Sequence, residues 1–232
     1  MKYLLTVLLL LSPTAAFAEP AALPKEAQEL TAKLSAVKTY EADFTMETKE
    51  DDGKLVKLEG KISFKSPNMR RLEIKQDDTQ ELPQMVISDG TYEWHYDPNT
   101  NPDTQESPQV LRSSVPAELP GPHRPFGEIQ SGSLRFVEKR GSGATAVLRF
   151  EGAPSPVLAQ SSPVPIKLIR LDVGEQDGFL RDLFLLDEKG QEVLAQHYTS
   201  IRINPDLPAS DFVFTPPEGV PVKDLSAEAQ KE

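Results

Sequence analysis

The residues able to do chemistry are few, and their spacing suits none of the familiar reactions. Three histidines, His95, His123 and His197, are spread through 232 residues, and there is no cysteine. No second His stands at ligand spacing from any of them, so no metal site is expected. His95 reads as a solvated histidine on the polar face of its strand, opposite Trp94. Ser131-Gly132-Ser133 and Gly141-Ser142-Gly143 have neither the P-loop lysine nor the full dinucleotide spacing, and read as turns. Asp51-Asp52 and Asp77-Asp78 read as solvated loop tips. No Ser/His/Asp set has a recognisable nucleophile context. Nothing here argues for an enzyme, and no cofactor is expected.

Composition narrows the remaining classes. A formal charge of −11 disfavours nucleic acid and anionic membrane surfaces, both of which would repel the chain. Without thiols it is no disulfide scaffold, and 13 Gly cannot fill a collagen repeat. At 38% hydrophobic it has enough apolar side chains to fold.

The first 18 residues read as an export signal. Lys2 gives the positive start, Leu4 to Leu11 the short apolar core, and Ala16-Phe17-Ala18 the cleavage site. A membrane anchor is the alternative. Pro13 and the short apolar run count against it, because a span needs about 20 apolar residues. Cleavage after Ala18 leaves no Cys at the new N-terminus, hence no lipidated anchor. The expected product is exported and soluble, with a single domain over 19–222 and a polar tail over 223–232.

Leu23, Ala27, Leu30, Leu34 and Val37 then form one helical stripe, with Pro24 in the first turn and Glu26 and Glu29 near the positive end. From Tyr40 the period changes to two. Tyr40, Ala42, Phe44 and Met46 alternate with polar residues, and so do Val56, Leu58, Gly60, Ile62 and Phe64. Leu72 and Ile74, then Met85 to Ile87, and then Tyr92, Trp94 and Tyr96 continue the pattern. Further strands are expected at 133–139, 144–150, 166–173, 179–187, 193–203 and 212–214, giving about ten strands in an antiparallel meander.

Two Pro-rich segments interrupt this pattern. Residues 98–125 hold seven prolines, a density that excludes regular strands, and 153–165 form a second loop. In the first segment Val110, Leu111 and Val115 are expected to make a helical turn or two, followed by Phe126 and Ile129. The segment then lies over the sheet as a cover, with a disordered insertion as the alternative.

The feature left unexplained is the apolar sheet face itself. Alternation predicts one lining made of Phe44, Met46, Leu58, Ile62, Phe64, Leu72, Ile74, Met85, Ile87, Tyr92, Trp94 and Tyr96. An ordinary core is one reading. A cavity is the other, favoured by the loose Pro-rich cover and by flexible or flat Met, Tyr and Trp side chains.

Three stretches resemble the periplasmic outer-membrane lipoprotein carrier (LolA-like) family. They are Leu58-Glu59-Gly60-Lys61-Ile62-Ser63-Phe64-Lys65-Ser66-Pro67-Asn68, the run Val86 to Pro98, and Phe212-Val213-Phe214-Thr215-Pro216-Pro217-Glu218-Gly219-Val220. The resemblance spans essentially the whole mature chain. It implies a half-open antiparallel barrel, mainly β, covered by the N-terminal helix and a short-helix lid (Val110, Leu111, Val115, Phe126, Ile129). The apolar lining would be a lipid-binding cavity. The implied partners are lipoproteins, held by their acyl chains, an inner-membrane lipoprotein-releasing transporter and an outer-membrane lipoprotein receptor. The implied state is a periplasmic monomer. Carriers of this family place a lid-latching Arg immediately before the Pro-Asn; here Ser66 stands there, and Arg70 and Arg71 just beyond are further latch candidates. Two alternatives remain. One is a carrier or sensor of another lipid. The other is a periplasmic regulatory binding protein of the same fold, which would carry a second domain for which this length leaves no room.

Overall fold

The structure is a computed structural model that describes residues 23–49, 55–76, 82–99, 108–116, 119–162 and 164–226. The expected export signal, the Asp51-Asp52 turn and Asp77-Asp78 lie outside the described residues. Helix α1 is Lys25–Leu34 and α2 is Pro156–Ser161. The strands are β1 (Thr39–Lys49), β2 (Leu55–Lys65), β3 (Met69–Gln76), β4 (Gln84–Asp89), β5 (Tyr92–Asp97), β6 (Gln109–Ser114), β7 (Arg135–Arg140), β8 (Val147–Gly152), β9 (Leu168–Gly174), β10 (Leu180–Leu186), β11 (Glu192–Ile203) and β12 (Val222–Asp224). Their order is β12-β6-β5-β4-β3-β2-β1-β11-β10-β9-β8-β7. The order has two free ends, so the sheet is open. The chain is mainly β with few helices, in the class the sequence indicates.

The chain divides into two compact units. The first comprises Met1–Ala36, Met46–Val56 and Pro120–Tyr198. Here β7 to β10 and the start of β11 are antiparallel neighbours. One face is apolar: Phe150 opposes Leu171, Leu171 opposes Leu183, and Ile169 opposes Leu185. The other face is an ion-pair ladder, in which Glu151 takes Arg135 at 2.6 Å and Arg170 at 3.0 Å, and Asp172 takes Arg149 at 2.5 Å. Helix α1 is amphipathic as its stripe predicts, with Ala27 and Leu30 buried. It lies so close to the turn at Gly178 (φ +78°) that a Cβ there would stand 2.9 Å from the Leu30 carbonyl oxygen. Glycine meets both the left-handed backbone and the close approach.

Within this unit, Phe126 packs edge-on against Phe150 at 5.0 Å, and Ile129 lies over Gly152. These two expected lid residues therefore cover an apolar face, from a chain of turns rather than a helix. The prolines at 120, 122 and 125 account for the turns, since they withhold the donors a helix needs. The second Pro-rich loop does contain a short helix, α2. It starts because the Ser155 hydroxyl accepts from the Leu158 N–H and proline occupies the first turn.

The second unit comprises Val37–Thr45, Lys57–Leu119 and Thr199–Glu232. Strands β2 to β6 form an antiparallel meander. Two expectations fail here. Val110 and Leu111 form no helical turn: they sit in β6, paired with β5 on one side and in parallel with β12 on the other. The alternation Gln109-Val110-Leu111-Arg112 suits a strand, and the Val110 N–H bonds to the Pro221 carbonyl at 3.0 Å. Val115 follows the strand in irregular backbone. Residues 222–224 belong to strand β12. Finally, 212–214 are not a strand. Ala209–Phe212 is a 3-10 turn, and the prolines at 208, 216 and 217 interrupt any ladder.

Candidate functional site

Cross-strand register decides which residues of the second unit share a face. Directly opposed residues point to the same side. Leu72 opposes Ile62 and Val86, so even positions face together across β2, β3 and β4. The turn at Asp89-Gly90 then shifts the parity, because Val86 opposes His95 and Ile87 opposes Trp94. The single lining expected from alternation is therefore two linings on opposite faces.

The first face carries Leu58, Ile62, Phe64 and Leu72, all buried, with Ile74 half-buried. Strand β1 adds Tyr40, whose ring stacks on Phe64 at 5.2 Å, and Phe44, whose ring lies over Gly60. Met46, also on β1, falls in the first unit, where it is buried. Each such side chain contributes about 1.5–3 kcal/mol on leaving water.

The second face carries Met85, Ile87, Tyr92, Trp94 and Tyr96. It is covered by the segment after β11. Phe214 packs on Trp94 at 5.7 Å and on Tyr96 at 5.8 Å. Phe212 is fully buried, the Lys65 ammonium donates to the Leu207 carbonyl at 2.6 Å, and Leu225 N–H donates to Arg112 O at 2.8 Å. Arg112 clamps the end of the segment by pairing with Asp224, and its guanidinium lies 4.5 Å from the Tyr92 ring centre. The hydrogen bond to Asp224 raises Arg112 further.

His95 corrects the sequence reading outright. It is 6% exposed, on the first face, in the row of Ile62, Leu72 and Leu111. Its Nε2 lies 3.1 Å from Glu93 Oε1, and Glu93 Oε2 accepts from Arg70 Nη2 at 2.8 Å. Ser88, between Arg70 and Glu93 in the register, is fully buried. Burial pushes the Glu93 carboxyl up, but the His95 hydrogen bond and the Arg70 charge outweigh it, so the group sits below its ordinary 4.5. Sequence reasoning missed this cluster because Glu93 and His95 look like the wet side of a strand. The legible signal was Arg70, a charged residue at an even position among apolar even positions.

The three latch candidates occupy separate surroundings. Ser66 is exposed, with its N–H on the Lys38 carbonyl at 2.7 Å. Arg70 belongs to the buried cluster. Arg71, on the second face, binds Glu73 at 2.7 Å and reaches the Asp211 carbonyl at 3.5 Å. A groove of about 530 Å³ on this unit has the charged walls Glu41, Asp43, Lys61 and Arg202, chemistry unsuited to an acyl chain. Among the described residues no group of His, Asp or Glu could hold a metal ion, and no helix is long and apolar enough to cross a membrane.

Residues 35–119 match the family model of the outer membrane lipoprotein carrier protein LolA. A relative from Serratia proteamaculans, named outer-membrane lipoprotein carrier protein, is 27% identical over 225 residues, covering 97% of this chain and 98% of that one. One of the same name from Dechloromonas aromatica is 28% identical over 191 residues, covering 82% and 83%. Among solved structures, an uncharacterized conserved protein from Thermus thermophilus matches with a TM-score of 0.57 at 13% identity, covering 86% of this chain and 99% of that one. That last likeness is one of fold.

Proposed function

The chain is LolA-like, and from that premise we propose that it is a periplasmic carrier that shields the acyl chains of lipoproteins on the first apolar face of its second unit. The observation carrying the proposal is that face, with Leu58, Ile62, Phe64 and Leu72 in one register and Tyr40 and Phe44 stacked against it. Relatives named as lipoprotein carriers align along nearly the whole chain, which supports the same reading.

The physical demand on such a carrier is clear. Burying an acyl chain is worth about 0.8 kcal/mol per CH₂, so a chain of roughly fifteen methylenes gains on the order of 12 kcal/mol. A lipoprotein left in water would aggregate or enter the nearest bilayer. A protein face must replace that bilayer and still release the chain. Val, Ile, Leu and aromatic side chains do so without directional bonds that must be broken. On this reading residues 1–18 direct export and are cleaved after Ala18. The cargo is received from an inner-membrane releasing transporter and passed to an outer-membrane receptor. The protein acts as a binding protein and catalyses no reaction.

The test uses the mature protein and proteoliposomes holding an acylated lipoprotein. Gel filtration after incubation with the releasing transporter should give a soluble complex of carrier and lipoprotein. The same lipoprotein with its acylated Cys replaced by Ser should give none. Equal recovery of both would reject acyl-chain recognition.

A further inference from the structure

His95 is a polar side chain in an apolar row, flanked across the strands by Val86 and Leu111. Its Nε2 faces a carboxylate oxygen of Glu93. A carboxylate only accepts, so Nε2 carries a proton toward Glu93, and in that tautomer Nδ1 holds a lone pair and is an acceptor. Nδ1 is buried and has no hydrogen-bond partner among the described residues. Glu93 cannot supply one, because both its carboxylate oxygens are acceptors, one of them already taken by Arg70. Buried polar atoms are normally satisfied, and a lone acceptor lowers stability unless something fills it.

We propose that Nδ1 of His95 is the polar anchor of the lipid site, accepting a hydrogen bond from an amide N–H at the carbonyl end of an acyl chain. The proposal rests on the carrier reading and adds the chemical class of head group to it. Two features favour an uncharged donor. Arg70 and Glu93 already neutralise each other, so an ionised head group would add an unpaired buried charge. An acyl amide also offers its donor next to the first methylene. The chain can then run along Leu72 to Ile62, three strand spacings or about 14 Å away.

The test is competition of dodecanamide and methyl dodecanoate against an apolar fluorescent dye bound to the mature protein. The two differ in the head-group donor. The amide should bind about tenfold more tightly than the ester, the scale of one well-placed hydrogen bond. In His95→Gln the side-chain amide keeps a donor for Glu93 but lacks the acceptor at the Nδ1 position. The preference should fall to near unity. Equal affinities in the wild type, as when an ordered water fills the position, overturn the anchor and leave the carrier reading standing. So does a preference that survives in His95→Gln. If neither compound displaces the dye, the carrier reading fails with it. The wild-type ratio decides the matter even if the variant does not fold.

Discussion

The Arg70 guanidinium and the Glu93 carboxylate meet at 2.8 Å with side chains only 5% and 4% exposed. Removing one partner of such a pair leaves an uncompensated buried charge and costs about 3–5 kcal/mol. Glu93→Gln keeps the shape and strands the Arg70 charge, so its unfolding free energy at neutral pH, read from denaturant titration, should fall by that order. The pH dependence has a definite sign. A carboxyl whose pKa is lowered on folding stabilises the fold above its ordinary value of 4.5, and that contribution is lost as pH falls through the lower folded value. The gap between wild type and Glu93→Gln should therefore narrow below about pH 4.5. A gap that is constant from pH 7 to pH 3 would mean that folding does not lower the Glu93 carboxyl.

Trp94 is the single tryptophan, and its indole N–H donates to Asp89 Oδ2 at 3.1 Å beneath the Phe214 ring. Its fluorescence should report the state of the segment after β11. Phe214→Ala opens the indole to water and should shift its emission to the red in native buffer, with a loss of stability of about 2 kcal/mol for a half-covered aromatic. An unchanged spectrum would place the cover elsewhere.

Much of this fold is legible in the amino-acid sequence. The helix at Lys25–Leu34 follows from its apolar stripe, and the strands of the meander follow from period two. Parity across turns is not legible. Alternation says which residues of one strand face together, but the register that joins strands depends on how many residues each turn absorbs. The step from Val86 to His95 therefore puts Trp94 on the opposite face from Leu72. The strand at Gln109–Ser114 is hidden by the surrounding prolines, and its partner β12 lies more than a hundred residues away. The buried triad is hidden because a polar residue on a strand is ordinarily solvated, and only pairing makes its burial tolerable.

Gly60 is required by space. A Cβ there would stand 2.5 Å from Phe44 Cζ and would also collide with the Glu73 carbonyl. The carbonyl belongs to the β2–β3 ladder and cannot swing away as a side chain can. Gly60→Ala should cost about 1–3 kcal/mol, the range for overpacking a core. Combining it with Phe44→Leu should recover only part of the loss. Full recovery in the double variant would show that the ring alone sets the limit.

On the carrier reading, acyl chains lie on the face of Leu58, Ile62 and Leu72 and not on the face of Ile87 and Val110. Nuclear Overhauser contacts between a bound, unlabelled acyl amide and methyl-labelled Ile, Leu and Val side chains in a deuterated protein test it without mutation. Contacts are expected from chain methylenes to the methyls of Ile62 and Leu72, and none to Ile87 or Val110. Contacts to Ile87 and Val110 with none to Ile62 or Leu72 would contradict it.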